Sequence, residues 1–153
     1  MRDAVNERAE QIQREVRVNA RPEIVFAHFT DPERYVRWKG RRAWLDPRPG
    51  GIFRVDINGR DVARGEFLEV VPYRRIVFSW GWEAEGNPVP PGSSTVEVTL
   101  EPDGAGTIVR LVHRGLPSAA RTAHLEGWDH YLPRLTIAAT GGDPGVDASE
   151  RTT

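Results

Sequence analysis

The stretch Pro22–Trp38, PEIVFAHFTDPERYVRW, decides the fold. A proline at the first helical position sacrifices nothing, because the first amides of a helix have no intrahelical acceptor. Behind Pro22, the residues Ile24, Val25 and Phe29 recur at helical spacing. Asp31-Pro32 repeats the signal, a capping carboxylate followed by proline, and predicts a second short helix in PERYVRW. Immediately upstream, Ile12–Val18 alternates apolar residues with Gln13, Glu15 and Arg17, the pattern of a half-buried strand. A strand followed at once by two short helices is a distinctive opening.

Downstream the period returns to two. Phe53, Val55 and Ile57 alternate with Arg54 and Asp56, and Asn58-Gly59 predicts a tight hairpin turn. In VARGEFLEVV the alternation slips between Gly65 and Leu68, as it does in a bulged strand. After Pro72-Tyr73, RIVFSWGW sets Ile76, Phe78, Trp80 and Trp82 on one face. The loop EGNPVPPGSS leads to a strand with Val96, Val98 and Leu100 inward, and PDGAG turns into one with Val109, Leu111 and His113 opposite Arg110 and Arg114. Ser118 is placed to cap a last helix, in which His124, Trp128, Tyr131, Leu132 and Leu135 form an apolar stripe. Pro133 within it predicts a kink or exposed carbonyls. The order implies an α+β domain: a curved antiparallel sheet of about six strands with one long C-terminal helix packed on one face.

Composition narrows the function classes. Among 153 residues, 21 Lys+Arg balance 22 Asp+Glu, which speaks against a dedicated nucleic-acid binder. The absence of cysteine removes disulfides, thiolate–zinc sites and thiol catalysis. No apolar run is long enough for a membrane span and the polar N-terminus is not a signal peptide, so a cytoplasmic protein is the simplest expectation. Residues 1–10 read as a polar extension, 11–141 as the domain, and 142–153, small, polar and Pro/Gly-interrupted, as a disordered tail. Five tryptophans in so small a domain must be housed in a core or around a cavity.

Four segments in this order, Pro22–Trp38, PGGIFRVDI, GEFLEVVPYRRIVFSW and GWDHYLPRL, resemble the family named for the activator of the heat-shock-protein-90 ATPase, in the START-like (SRPBCC, birch-pollen-allergen-type) superfamily. The resemblance spans roughly Ile12 to Ala139. It implies the helix-grip fold, a sheet wrapped around the long helix and enclosing a cavity. It also implies, for the wider superfamily, binding of apolar small molecules, and in a minority cyclisation or aromatisation of polyketides. The eukaryotic co-chaperone has a further chaperone-binding domain and an asparagine- and tryptophan-rich motif that this sequence does not show, so co-chaperone activity transfers poorly.

The ligand expected is a small apolar or aromatic molecule, lined by Trp38, Phe53, Phe67, Phe78, Trp80, Trp82, Val98, Leu111, His113, Trp128 and Tyr131. His113 and Tyr131 would orient a polar group on it, and His124 is placed to approach His113. Trp38 and Trp44 flank Lys39-Gly40-Arg41-Arg42, with Arg34, Arg37 and Arg48 nearby. That segment either closes the core with Trp38 beneath solvated arginines or receives an acidic ligand. No cofactor, nucleic-acid or membrane partner is expected. His124 and His130 lack metal-ligand spacing, Gly50-Gly51 precedes a strand and cradles no phosphate, and Ser79 and Ser118 lack a nucleophile context. A cyclase-like enzyme using His113 as acid–base and a protein-interaction module, including chaperone partnership, stay open. So does a homodimer.

Overall fold

The computed structural model describes residues 11–147. In chain order they form β1 (Ile12–Val18), α1 (Pro22–Thr30), α2 (Pro32–Tyr35), β2 (Arg42–Leu45), β3 (Ile52–Asp56), β4 (Val62–Val71), β5 (Arg75–Trp80), β6 (Ser94–Asp103), β7 (Gly106–Arg114) and α3 (Ser118–Ala139). The strands make one curved, wholly antiparallel sheet in the order β1-β7-β6-β5-β4-β3-β2. This is the expected α+β helix-grip arrangement. None of the helices among the described residues is long and apolar enough to cross a membrane.

The local signals act where the sequence placed them. Pro22 and Pro32 occupy first helical turns, and the Asp31 carboxylate accepts a hydrogen bond from the Arg34 amide at 3.2 Å. Val25 and Phe29 enter the core, whereas Ile24 faces outward, 42% exposed. In β4 the register shifts between Phe67 and Glu69, so the bulge falls at Leu68. Gly65 sits where the backbone of β5 crosses closest: a Cβ there would collide with the Ser79 carbonyl oxygen. The Ser79 hydroxyl accepts a hydrogen bond from the Glu66 amide at 2.9 Å, pinning the same crossing.

Several expectations are corrected. The sheet has seven strands instead of about six, because Arg42–Leu45 pairs with β3. Its alternation is disguised: Trp44 is held on the solvent side by the guanidinium groups of Arg42 and Arg54, 4.9 and 4.4 Å from its ring centre. The Asn58-Gly59 turn is longer than a two-residue hairpin, since Asp56 pairs with Val62. There Asn58 Oδ1 accepts from the amides of Arg60 and Asp61 at 3.0 and 2.8 Å, doing the work of a strand partner. Pro117, not Ser118, takes the cap position of α3, and no side chain caps it. Pro133 lies within the helix, which continues through it between buried Leu132 and Leu135.

Part of the segment expected to be a disordered tail is placed against the domain. Residues 141–147 fold back on α3, where Arg134 donates to the carbonyls of Pro144 and Gly145 at 3.2 and 3.0 Å and His130 Nε2 lies 2.8 Å from the Asp147 carboxylate. Residues 1–10, expected as a polar extension, and residues 148–153, expected as part of a disordered tail, lie outside the described residues.

Gly65→Ala should lower stability by about 1–3 kcal/mol, the usual cost of an extra carbon forced into a filled space. Chemical denaturation measures it, and an unchanged midpoint would contradict the close crossing of β4 and β5.

Candidate functional site

The concave face of the sheet is filled over most of its length. Phe53 stacks on Phe78 with centroids 4.0 Å apart, and Phe67 and Tyr35 meet Phe53 edge-on at 5.6 and 5.9 Å. Val98 and Leu111 lie in the same buried layer. Trp38 is fully buried against Phe29 and Tyr35, and its indole N–H donates to the His28 carbonyl at 2.8 Å. Of the residues expected to line a ligand, Trp38, Phe53, Phe67, Phe78, Val98 and Leu111 therefore belong to solid core, apart from the lining of the cavity described next.

Toward one end of α3 the packing stops and a cavity of about 500 Å³ remains. On α3 the residues facing it include Ala120, Ala123 and Gly127, three small side chains at helical spacing that leave room where larger ones would meet the sheet. Trp80, Trp82, Trp128 and Tyr131 line it, the four expected residues that the structure brings together there. The Pro-rich loop after β5 forms another wall: the Trp82 amide donates to the Val89 carbonyl at 2.7 Å, folding buried Val89 inward. Asn58 and Asp61 of the β3–β4 turn complete the lining, with Asn58 Nδ2 donating to Asp61 Oδ2 at 2.9 Å.

Two histidines hold the tryptophans in place. The Trp128 indole N–H donates to His113 Nδ1 at 3.1 Å, so the His113 proton sits on Nε2, which donates to Ser94 Oγ at 2.9 Å. The Ser94 hydroxyl in turn donates to the Trp80 carbonyl at 2.8 Å. Burial, with smaller repulsions from His124 and Lys39, pushes His113 down to about 2, so its ring is neutral. His124 repeats the scheme: Nδ1 donates to the Ala120 carbonyl at 2.8 Å and Nε2 accepts from the Trp82 indole at 3.0 Å. Burial again lowers its pKa. The rings approach to 5.5 Å, as the sequence anticipated. With both nitrogens engaged and no place in the lining, His113 acts on the cavity by fixing Trp128.

The lining residue that the sequence reading did not single out is Lys39, the only lysine in the chain. It is 5% exposed and lines the cavity. Its Nζ sits 3.9 Å from the ring centre of Trp128, 4.3 Å from that of Trp80 and 5.1 Å from that of Tyr131. Burial pushes the ammonium down to about 7. The backbone aims it there: the Trp38 carbonyl accepts from Arg134 Nε at 3.0 Å, and the chain turns at Gly40 (φ +85°), where a Cβ would press on Val55. The available signal was a lone lysine between a core tryptophan and a glycine. The neighbouring arginines behave as a surface, since Arg34, Arg48 and Arg54 pair with Asp31, Asp46 and Glu83.

Two consequences for stability follow. His113 is neutral when folded but titrates near 6.5 when unfolded, so its contribution is complete above that pH and is lost as pH falls. Between pH 7 and 5 this removes about 2 kcal/mol, read from urea midpoints, and His113→Gln should flatten the slope. For Lys39 the cost of holding a charge in the interior is complete below pH 7 and vanishes above 10.5. Lys39→Met should therefore stabilise the protein at pH 6 by about 2–4 kcal/mol and have little effect near pH 11.

This geometry has relatives. The family described as activator of Hsp90 ATPase homolog 1-like protein matches residues 19–140. An AHSA1-like protein from Rhizobium etli is 50% identical over 90% of this chain and 86% of that one, with a TM-score of 0.71. CalU16 from Micromonospora echinospora is 31% identical over 92% of this chain and 71% of its own, with a TM-score of 0.74. DynU16, a protein of the dynemicin biosynthetic locus, is 26% identical over 88% of this chain and 49% of its own, with a TM-score of 0.75. Among curated proteins none matches the chain. On the extent of the family match and the half-identical Rhizobium relative, the chain belongs to the activator of Hsp90 ATPase homolog 1-like family.

Proposed function

We propose that the protein binds a small, largely aromatic molecule in the cavity between α3 and the sheet. The observation that carries this reading is a cavity of about 500 Å³ walled by Trp80, Trp82, Trp128 and Tyr131 beside the packed aromatic and aliphatic core. That volume lies in the usual range for small-molecule sites, and aromatic walls with a few polar groups are their usual form. The hydrogen bonds from Trp82 to His124 and from Trp128 to His113 hold the rings before any ligand arrives, which lowers the ordering cost of binding. Similarity to a protein of a natural-product biosynthetic locus supports a small-molecule role. A cyclase using His113 as acid–base finds less support, because both ring nitrogens are occupied by Trp128 and Ser94.

Gly127 supplies the test. It lines the cavity and has open space beyond its Cα, so Gly127→Phe fills the void without displacing the backbone and removes a helix-weakening glycine. In a panel of one- to three-ring aromatics followed by indole N–H resonances, the wild type should show saturable shifts at Trp82 and Trp128. Gly127→Phe should lose them at least tenfold in affinity while keeping its fold. Equal binding by both proteins would place the ligand elsewhere, and no saturable binding across the panel would end the proposal.

A further inference from the structure

The geometry points to an anionic ligand: an aromatic carboxylate whose carboxyl group rests on Lys39 Nζ while its rings lie against Trp80, Trp82 and Trp128. This inference rests on the cavity being a small-molecule site and names the class of molecule it takes.

The first reason is what surrounds the ammonium. Three aromatic rings face Nζ, and among the described residues it makes no hydrogen bond and no ion pair. An ammonium has three donors and nothing to accept with, and a buried cation without an anion is costly. Ring faces return only about 0.5–2 kcal/mol each. The protein thus supplies the weaker half of a cation site and leaves the counter-charge out. Lys39 nonetheless opens on the cavity, where a guest can reach it.

The second reason is the balance of polar groups in the lining. Trp80 Nε1 is buried and has no acceptor among the described residues. Two acceptors of the lining are turned to other donors: His124 Nε2 takes the Trp82 indole, and Asp61 Oδ2 takes Asn58 Nδ2. No ion pair joins Asp61 to Lys39. Lys39 Nζ and Trp80 Nε1 are thus two donors at the cavity with no acceptor among the described residues. A neutral hydrocarbon would bury Nζ further without pairing it, and an amine would be repelled. A carboxylate supplies both the charge and two acceptor oxygens.

A chain with one lysine makes the test selective. Protein grown with 13C-lysine gives a single side-chain signal, separating Lys39 from the other titratable groups around it: His124 and Tyr131 on α3 and Asp61 in the β3–β4 turn, which line the cavity, and His113 on β7, which lies outside the lining against Trp128 and His124. The probes are 2-naphthoate and naphthalene-2-carboxamide, compared at pH 6.5 by calorimetry. The acid should bind at least tenfold more tightly than the amide, and Lys39→Met should abolish the difference. The Lys39 titration, near 7 in the free protein, should move up by a unit or more with naphthoate bound. Equal affinity for acid and amide, or bound naphthoate with the lysine titration unmoved, would overturn the inference and leave the cavity reading standing. If neither probe nor any of the one- to three-ring aromatics binds, both readings fall. Should Lys39→Met not fold, the wild-type lysine titration decides alone.

Discussion

The hydrogen bond from the Trp128 indole to His113 Nδ1 is the constraint around which this domain is arranged. It joins the middle of α3 to the inner face of β7 and continues through Ser94 to the backbone of β5, so one relay spans the helix and three adjacent strands. A helix held at that point cannot settle onto the sheet along its whole length. On the Leu132–Leu135 side the contact is filled by large apolar groups, and on the Ala120–Gly127 side the helix offers too little bulk to reach the strands. The empty space is a consequence of side-chain size on one helix face. The relay also requires a neutral imidazole, since a ring protonated at both nitrogens has no acceptor for the indole N–H.

Charge is sorted by side-chain type. The arginines form surface pairs such as Arg14 with Asp129, Arg17 with Asp103 and Arg75 with Glu69, which at such exposure are individually weak. The one lysine is in the interior among rings. A compact ammonium fits between aromatic faces where a planar, five-donor guanidinium would demand partners in fixed directions.

Strand positions were legible because one face of each is buried, which imposes period two on Phe53–Ile57, Val96–Leu100 and Val109–His113. The paired prolines of α1 and α2 and the slip in β4 were legible for equally local reasons. β2 was not, because Trp44 lies beneath two guanidinium groups on the polar side, where an apolar residue breaks the alternation. The aromatic residues were identifiable as a set, but not their division into core and cavity. That depends on which rings oppose Ala120, Ala123 and Gly127, a matter of how the helix registers on the sheet. Lys39 was legible as part of a basic segment but not as a buried residue, because lysine is almost never buried unless paired, and here its neighbours are rings contributed by distant elements. His113 was recognisable as buried, while its partners Ser94 and Trp128 were set by strand pairing and helix docking.

Arg134 links two distant parts of the chain through a single cation. Its guanidinium binds the Trp38 carbonyl, one residue before Lys39, and the carbonyls of Pro144 and Gly145. Removing the chain beyond Gly141 would spare every strand and helix yet leave that guanidinium with one of these three acceptors. The backbone that presents the lysine is thus steadied from behind by what looks, in sequence, like dispensable punctuation. For anyone engineering this scaffold, a tag or fusion partner that displaced Pro144 and Gly145 would be felt, through Arg134 and the Trp38 carbonyl, at the buried lysine on the far side of that peptide.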